Sequence, residues 1–420
     1  MSTKLDNGRE SLIPIARDVI EHAREGTMKQ AGAVMRLPAT NYTDPNRFEA
    51  ELNQVIKRVP IILGPSCEIP NPGDFKTLSV AGMSLIVSRT KDGNAHALIN
   101  ACSHRGTCLT QEENGNRKRF TCPYHGWSFS NAGDLLAINS EDDFGEIDKN
   151  DYGLKSLPVY ESAGLIWAIL NPNSTVDITA FLAGYDDMLE VFAFSDWVYV
   201  SKRTFAGPNW KIAYDGYLEY YHVPVLHRDT FGVDTTNRGL YYTWGPHQHI
   251  KSPDTEKGHI ATETLGYMVE LIDKPEAEWD TETLTYGVWT VFPTTSIASF
   301  DAGGRGVMIS QILPGESVGE SITTQYYIME KPPSDPEAAE KQFDFFQQVV
   351  MQEDYATGGS AQSALKEGGL DHVIFGRNEQ GNQHFHQWVD RVLGADSDDE
   401  LNSLFESVGR TVTSLADGPS

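Results

Sequence analysis

Cys102-Ser103-His104-Arg105-Gly106 and, further on, Cys122-Pro123-Tyr124-His125-Gly126-Trp127 are the stretches on which the reading of this chain turns. Each carries one thiol and one imidazole, and each closes on a glycine. A structural zinc site also takes two Cys and two His, but zinc fingers group their ligands by type, as Cys-x2-4-Cys and His-x3-5-His. One of each per loop matches instead a [2Fe-2S] cluster with two thiolates on one iron and two imidazoles on the other, the Rieske arrangement. Cys102 and Cys122 are therefore assigned to one iron, and His104 and His125 to the other. Gly106 and Gly126 allow the backbone to approach the sulfides and donate hydrogen bonds that tune the potential.

The second loop, with Tyr124 between Pro123 and His125, resembles the α subunits of Rieske ring-hydroxylating oxygenases. Electron-carrying Rieske proteins have an extra Cys in each loop, joined as a disulfide. Here Cys108 has no counterpart in the second loop, and it reads as a small buried side chain. The resemblance demands a second metal, a mononuclear iron, further along the chain.

A length of 420 residues suggests two domains rather than one core. The longest apolar runs, such as Leu165 to Leu170, fall far short of a membrane span, and no basic start precedes an apolar run as in a secretory signal. Four Cys, two of them claimed by the cluster, provide no disulfide framework and point to a reducing, cytoplasmic location. A formal net charge of −26 argues against nucleic acid as a partner.

Along the chain, Ile13, Ala16, Ile20 and Ala23 predict a helix over about Ser11 to Ala31, and Phe48, Leu52 and Ile56 another over Asn41 to Arg58. Apolar runs at 61–64, 75–80, 83–87, 95–100 and 165–170, punctuated by Pro72-Gly73 and Asp92-Gly93, predict an all-β module with the ligand loops at hairpin tips. Arg117-Lys118-Arg119 stands out in an acidic chain and offers either a docking point for an acidic redox partner or a solvated strand edge. Beyond Asn173 longer helices mix with strands, and the polar tail after Asp396 reads as frayed.

The segment from Asn209 to His227 carries the second constellation. On a continuous helix, Asp215, Glu219 and His222 share one face at i, i+4 and i+7, with Pro224 as the stop and His227 free to turn back. Two imidazoles and one carboxylate are what a non-haem Fe(II) oxygenase site requires, the remaining positions being open for O2. The carboxylate falls in a helix beginning at Asp335-Pro336-Glu337 and reaching Glu353-Asp354. Helical projection leaves Glu353 and Asp354 equal. The run Tyr286 to Ser296 reads as a strand facing the iron cavity, with Trp289 and Phe292 either against an aromatic substrate or in plain core. Arg305, among Gly303, Gly304 and Gly306, belongs to a turn, unless it pairs with a substrate carboxylate.

The resemblance covers nearly the whole chain and implies an α+β fold: an N-terminal all-β Rieske domain followed by a helix-grip catalytic domain, an antiparallel sheet wrapped around a long helix. On that reading residues 1–45 form a helical arm packing on the catalytic domain, 46–172 the Rieske domain and 173–420 the catalytic domain. The resemblance selects His222, His227 and Asp354 as iron ligands. It makes Glu219, where Asp is commoner, the bridge between an iron-binding His and His125 of a neighbouring subunit in a head-to-tail homotrimer. Asp215, where many members carry Asn, becomes a group close to the iron, or else a solvent-facing acid. The implied activity is oxygenation of a small aromatic compound, as in aromatic hydrocarbon catabolism, with O2 and two electrons from NAD(P)H. A separate reductase, ferredoxin or both deliver them, since no nucleotide-binding Gly motif is present. A β subunit can join such trimers. The alternatives are oxidative N- or O-demethylation at the same metals and, from a different class, an electron carrier or a non-catalytic binding protein.

Overall fold

Thr3 accepts a hydrogen bond from the backbone of Asp6 while Asp6 bonds back to Thr3, a reciprocal cap that starts the first helix, Lys4–Glu25. The computed structural model describes residues 3–232, 235–253, 274–408 and 413–414. The first helix begins earlier than the expected Ser11 because its cap lies upstream of the apolar stripe. It ends before Ala31 because Gly26 takes the left-handed conformation, φ 64°. Leu12, Ile15, Ala16 and Val19 are buried, and the helix packs on Tyr185–Glu190. The expected second helix is broken into Thr40–Thr43, Pro45–Glu51 and a π-helical turn, Leu52–Ile56.

The expected β-runs appear as Ile61–Pro65, Asp74–Val80, Met83–Arg89, Ala95–Ile99 and Leu165–Ala168, nearly residue for residue. They sit in two small antiparallel sheets, and a third carries the hairpin of the second ligand loop. Arg119–Thr121 and Ser128–Ser130 pair directly, so Cys122 to Trp127 is a hairpin tip.

The catalytic half is built on an eight-stranded sheet. Its strand order is Val198–Gly207, Ser321–Met329, Arg305–Pro314, Thr295–Asp301, Val288–Val291, His247–Lys251, Leu240–Trp244 and Thr413–Ser414, with every neighbouring pair antiparallel. Helices Trp210–Asp215, Pro336–Val349, Tyr355–Lys366 and Gln380–Leu393 belong to this half. An all-β module joined to a mixed domain with an antiparallel sheet is the α+β fold expected. The tail is a correction: Asp398–Ser407 is a helix capped by Ser397, with Leu401 and Phe405 buried. Two apolar residues one turn apart were enough to dock a segment whose composition is otherwise polar.

The first helix of the catalytic site is pinned by charge as well as by packing. Lys211 is fully buried, and its ammonium meets Glu51 and the carbonyl of Asn41. Arg47 Nε adds a second bond to Glu51 at 2.8 Å, and Trp210 Nε1 a third at 3.3 Å. Removing one member of such a set strands the others. Glu51→Ala should therefore lower stability by about 3–5 kcal/mol, read as a fall in the denaturant midpoint. Adding Lys211→Met should recover most of that loss.

Candidate metal centres

The two ligand loops of the β-module repeat one hydrogen-bond pattern. Cys102 N donates to Thr107 O at 2.9 Å and Gly106 N to Cys102 O at 2.8 Å; Cys122 N donates to Trp127 O at 2.7 Å and Gly126 N to Cys122 O at 3.0 Å. Gly106 and Gly126 both have positive φ, 75° and 76°, which is why glycine closes each loop. The thiols of Cys102 and Cys122 are buried and free, whereas His104 and His125 are half-buried with ring centroids 4.7 Å apart. His104 Nδ1 is buried without any hydrogen-bond partner. Burial, then the neighbouring His125 and Arg105, holds the His104 imidazole below its usual pKa. An unpartnered, neutral imidazole nitrogen beside two buried thiols suits a cluster ligand set. Cys108 donates to Thr110 O at 3.2 Å and is not paired with another Cys.

The second constellation departs from the continuous helix expected. Helix Trp210–Asp215 stops at Gly216, and His222 caps a separate single turn, Val223–Leu226, with His227 at its other end. Pro224 occupies the first turn of that short helix, where its missing N–H costs nothing, so it opens a helix rather than ending one. One helical turn thus separates the two imidazoles, whose centroids are 5.2 Å apart.

Each imidazole is held from behind by a carboxylate. His222 Nδ1 bonds Glu219, whose second oxygen accepts from His222 N at 3.1 Å. His227 Nδ1 bonds Glu353 at 2.5 Å, and Thr230 Oγ1 donates to the other Glu353 oxygen. An ionised carboxylate only accepts, so both protons sit on Nδ1 and both Nε2 lone pairs face forward. Asp354 Oδ1 lies there, 3.5 Å from His222 Nε2 and 3.2 Å from His227 Nε2. Ligand atoms of His222, His227 and Asp354 all fall within 4.8 Å of one another. For His227, burial lowers the pKa, but Asp354 and Glu353 outweigh it and the net shift is upward. Geometry therefore separates the two acids that helical projection left equal: Asp354 faces both Nε2 atoms, and Glu353 orients His227. They reach opposite edges of one imidazole because Val350–Asp354 is a π-helical turn between Pro336–Val349 and Tyr355–Lys366.

Asp215 does not face solvent. It accepts from the Tyr42 hydroxyl at 2.7 Å and lies 2.9 Å from His386 Nε2, with Asn382 Nδ2 at 3.3 Å. It bonds neither His222 nor His227. In front of the triad lies a cavity of about 170 Å³ walled by Phe231, Met308, Phe346, Val349 and Val350, with Tyr217 at its edge. The strand Val288–Val291 does not line it: Trp289 is fully buried and stacks on His249 at 3.7 Å, and Phe292 lies by Phe385. Both are core: Trp289 also packs by Tyr185, Phe192 and Trp244, and Phe292 is buried. Arg305 starts a strand after the Gly303-Gly304 turn, donates to Thr285 Oγ1 and lies over Trp197, so its charge is used within the fold.

Two family models match, the Rieske [2Fe-2S] domain over residues 59–160 and the ring hydroxylating alpha subunit catalytic domain over residues 194–395. The chain belongs to the Rieske ring-hydroxylating oxygenase α subunits. This α subunit is 33% identical to the anthranilate 1,2-dioxygenase large subunit of Acinetobacter baylyi over 202 residues, 46% of the chain and 43% of that protein. It thus spans under half the length of that curated relative. It is 26% identical to the carnitine monooxygenase oxygenase subunit of Escherichia coli over 371 residues, 85% of the chain and 93% of that protein. The fold superposes on naphthalene 1,2-dioxygenase from Rhodococcus sp. bound to indole with a TM-score of 0.71 at 19% identity, covering 92% and 98% of the two chains. The relatives thus include both dioxygenases and monooxygenases. The catalytic domain of this family binds mononuclear iron, and the residues present fit it.

The role of Glu353 was not legible beforehand, although its position beside Asp354 was the available signal. Phe231 and Phe346 gave none, since an apolar residue in a turn or on a helix reads as core. Asp354→Ala should lower bound iron from about three to about two per chain, measured by metal analysis of anaerobically loaded protein. Glu353→Gln should retain the site but weaken iron affinity about 10–100-fold. Because a proton competes for His227, iron affinity should fall as the pH is lowered.

Proposed function

We propose that this chain is the terminal oxygenase of a multicomponent system, using O2 and two electrons from NAD(P)H, relayed by a separate reductase or ferredoxin, to hydroxylate or dihydroxylate a small aromatic compound. The observation that carries the reading is the convergence of His222, His227 and Asp354 on one point at the mouth of an apolar cavity, in a chain that also holds the Rieske loops. In the proposed assignment Cys102, His104, Cys122 and His125 hold the cluster, and His222, His227 and Asp354 hold Fe(II). When bound, the cluster supplies single electrons and the iron supplies O2 activation.

The chain's own residues supply position. Glu219 and Glu353 keep the Nδ1 protons and thereby fix both rings. Phe231, Met308, Phe346 and Val349 exclude water and set a chamber about the size of one ring. Asp215 is a positioning residue: through Tyr42, His386 and Asn382 it ties the end of helix Trp210–Asp215 to helix Gln380–Leu393.

A head-to-tail homotrimer belongs to the same proposal. Tyr124 beside His125 is 58% exposed, and Tyr221 and Val225 beside His222 are 56% and 75% exposed, apolar surface that a neighbouring subunit would cover. Glu219 would then carry the electron path to the partner subunit's cluster. The exposed Lys118 and Arg119 suit an acidic redox partner; Arg117 is already paired with Glu112. A β subunit is compatible with this arrangement. A cytoplasmic location remains part of the reading, in keeping with the absence, among the described residues, of a helix long and apolar enough to cross a membrane. Oxidative demethylation is the second reading, favoured by the breadth of the match to the carnitine monooxygenase subunit.

Single-turnover oxygenation tests both. Protein loaded with iron, reduced without air and then given O2 with arenes, aromatic acids and methylated amines should yield a dihydrodiol or phenol from one arene. Formaldehyde from a methylated amine would move the assignment to demethylation. Fully loaded protein in its native assembly that yields no product from any of them would remove the oxygenase reading.

A further inference from the structure

One glycine beside the iron triad has no conformational reason to be glycine. Gly216 ends helix Trp210–Asp215, yet its backbone stays right-handed, φ −65° and ψ −19°, a conformation open to any residue. Helices that stop on a glycine commonly do so to reach the left-handed conformation, and this one does not. In a helical conformation glycine is less favourable than alanine, because it loses more backbone freedom on folding. Crowding does not exclude a side chain either. A Cβ built at Gly207 would strike the Tyr355 ring at 2.6 Å, and one at Gly381 the carbonyl oxygen of Leu218 at 2.2 Å, so packing requires both of those glycines. At Gly216 a Cβ would meet, among the described residues, a single heavy atom within 4 Å: Asp354 Oδ1 at 3.9 Å, an ordinary contact.

That single neighbour shows where a side chain would go. Asp354 Oδ1 is the atom that faces His222 Nε2 at 3.5 Å and His227 Nε2 at 3.2 Å. Gly216 itself lines the chamber of about 170 Å³, as does Ala213, three residues earlier and therefore on the same side of the helix end. One side of the chamber is thus walled by a methyl group and a hydrogen, whereas Phe231, Met308, Phe346 and Val349 supply bulk to the rest. The chamber is small enough for one added side chain to matter. An apolar cavity of about 150 Å³ holds one benzene molecule, and a side chain at position 216 would grow into a comparable volume from the metal side.

We infer that Gly216 is a specificity-determining residue: by carrying no side chain it leaves, in front of Asp354, the space in which the ring of a substrate lies, and the size of residue 216 sets the largest ring the chamber admits. The inference rests on the oxygenase reading for the word substrate, but occupancy of the chamber tests it without turnover. It also separates space from fold. Alanine at position 216 should leave the thermal midpoint unchanged or raise it, since the backbone there is helical, while already narrowing the chamber. A glycine kept for the fold would do the reverse.

Full-length, iron-loaded protein titrated anaerobically with benzene by calorimetry provides the test, beside metal analysis and thermal unfolding. Benzene should bind the unaltered protein, more weakly Gly216→Ala, and at least about tenfold more weakly Gly216→Val. Both variants should keep about three irons per chain. Adding Met308→Ala to Gly216→Val returns volume to the same chamber and should recover much of the lost affinity. Gly216→Ala adds one carbon in open space and keeps the measurement available if the valine variant does not fold. Loss of the third iron from Gly216→Ala, or a marked fall in its thermal midpoint, would make the glycine a requirement of the ligand set or of the fold and overturn the inference. Benzene affinity unchanged in both variants, or no benzene binding to the unaltered protein, would overturn it too. Affinity graded by residue 216 in protein that yields no single-turnover product would remove the oxygenase reading and leave the size limit supported.

Discussion

Two imidazoles can present lone pairs to one point only if something else holds their other nitrogens, and in this chain two carboxylates do. Glu219 grips His222 through both its ring and its backbone N–H, and Glu353 grips His227 while Thr230 grips Glu353. Without those bonds the rings would be free to rotate about their side-chain torsions, and Asp354 would face no fixed pair. The single helical turn between His222 and His227 supplies the spacing. The π-helical turn at Val350–Asp354 supplies the two acids at once. A regular helix would point adjacent residues about 100° apart; the wider turn brings both carboxylates to one ring.

That local geometry is stable because its supports are rigid. Helix Trp210–Asp215 is held at its start by the buried Lys211 and Glu51 pair and at its end by Asp215 with Tyr42 and His386. The strands beneath it present Met308 to the chamber, which makes the sheet a fixed frame behind the two imidazoles and Asp354. The other face reaches the β-module, where Gln311 donates to the carbonyl of Ile62. The two metal-binding halves of the chain are thus packed on opposite faces of the same sheet.

The cluster loops show how differently a local motif is specified. Their repeated hydrogen bonds connect residues four and five apart and depend on Gly106 and Gly126 at positive φ. Everything that decides their shape is contained in a few consecutive residues. The β-strands around them were equally legible, because apolar alternation and Gly-containing turns are short-range signals. The tail helix Asp398–Ser407 and the broken helix after Asp215 were not. Phe405 docks against Phe181 and Trp388, contacts that its own segment does not announce, and the helix after Asp215 stops at Gly216.

By itself the sequence determined the two ligand sets as chemical types, the order of the two domains and the β-rich character of the first. It did so because ligand chemistry and hairpin turns are written in short spacings. Only the tertiary structure decided that Asp354 and not Glu353 faces both imidazoles, that Trp289 and Phe292 are core, and that Arg305 is spent within the fold. The physical reason is common to all of these: a side chain's role in a site is set by direction, and direction is fixed by packing between elements that the chain order leaves far apart.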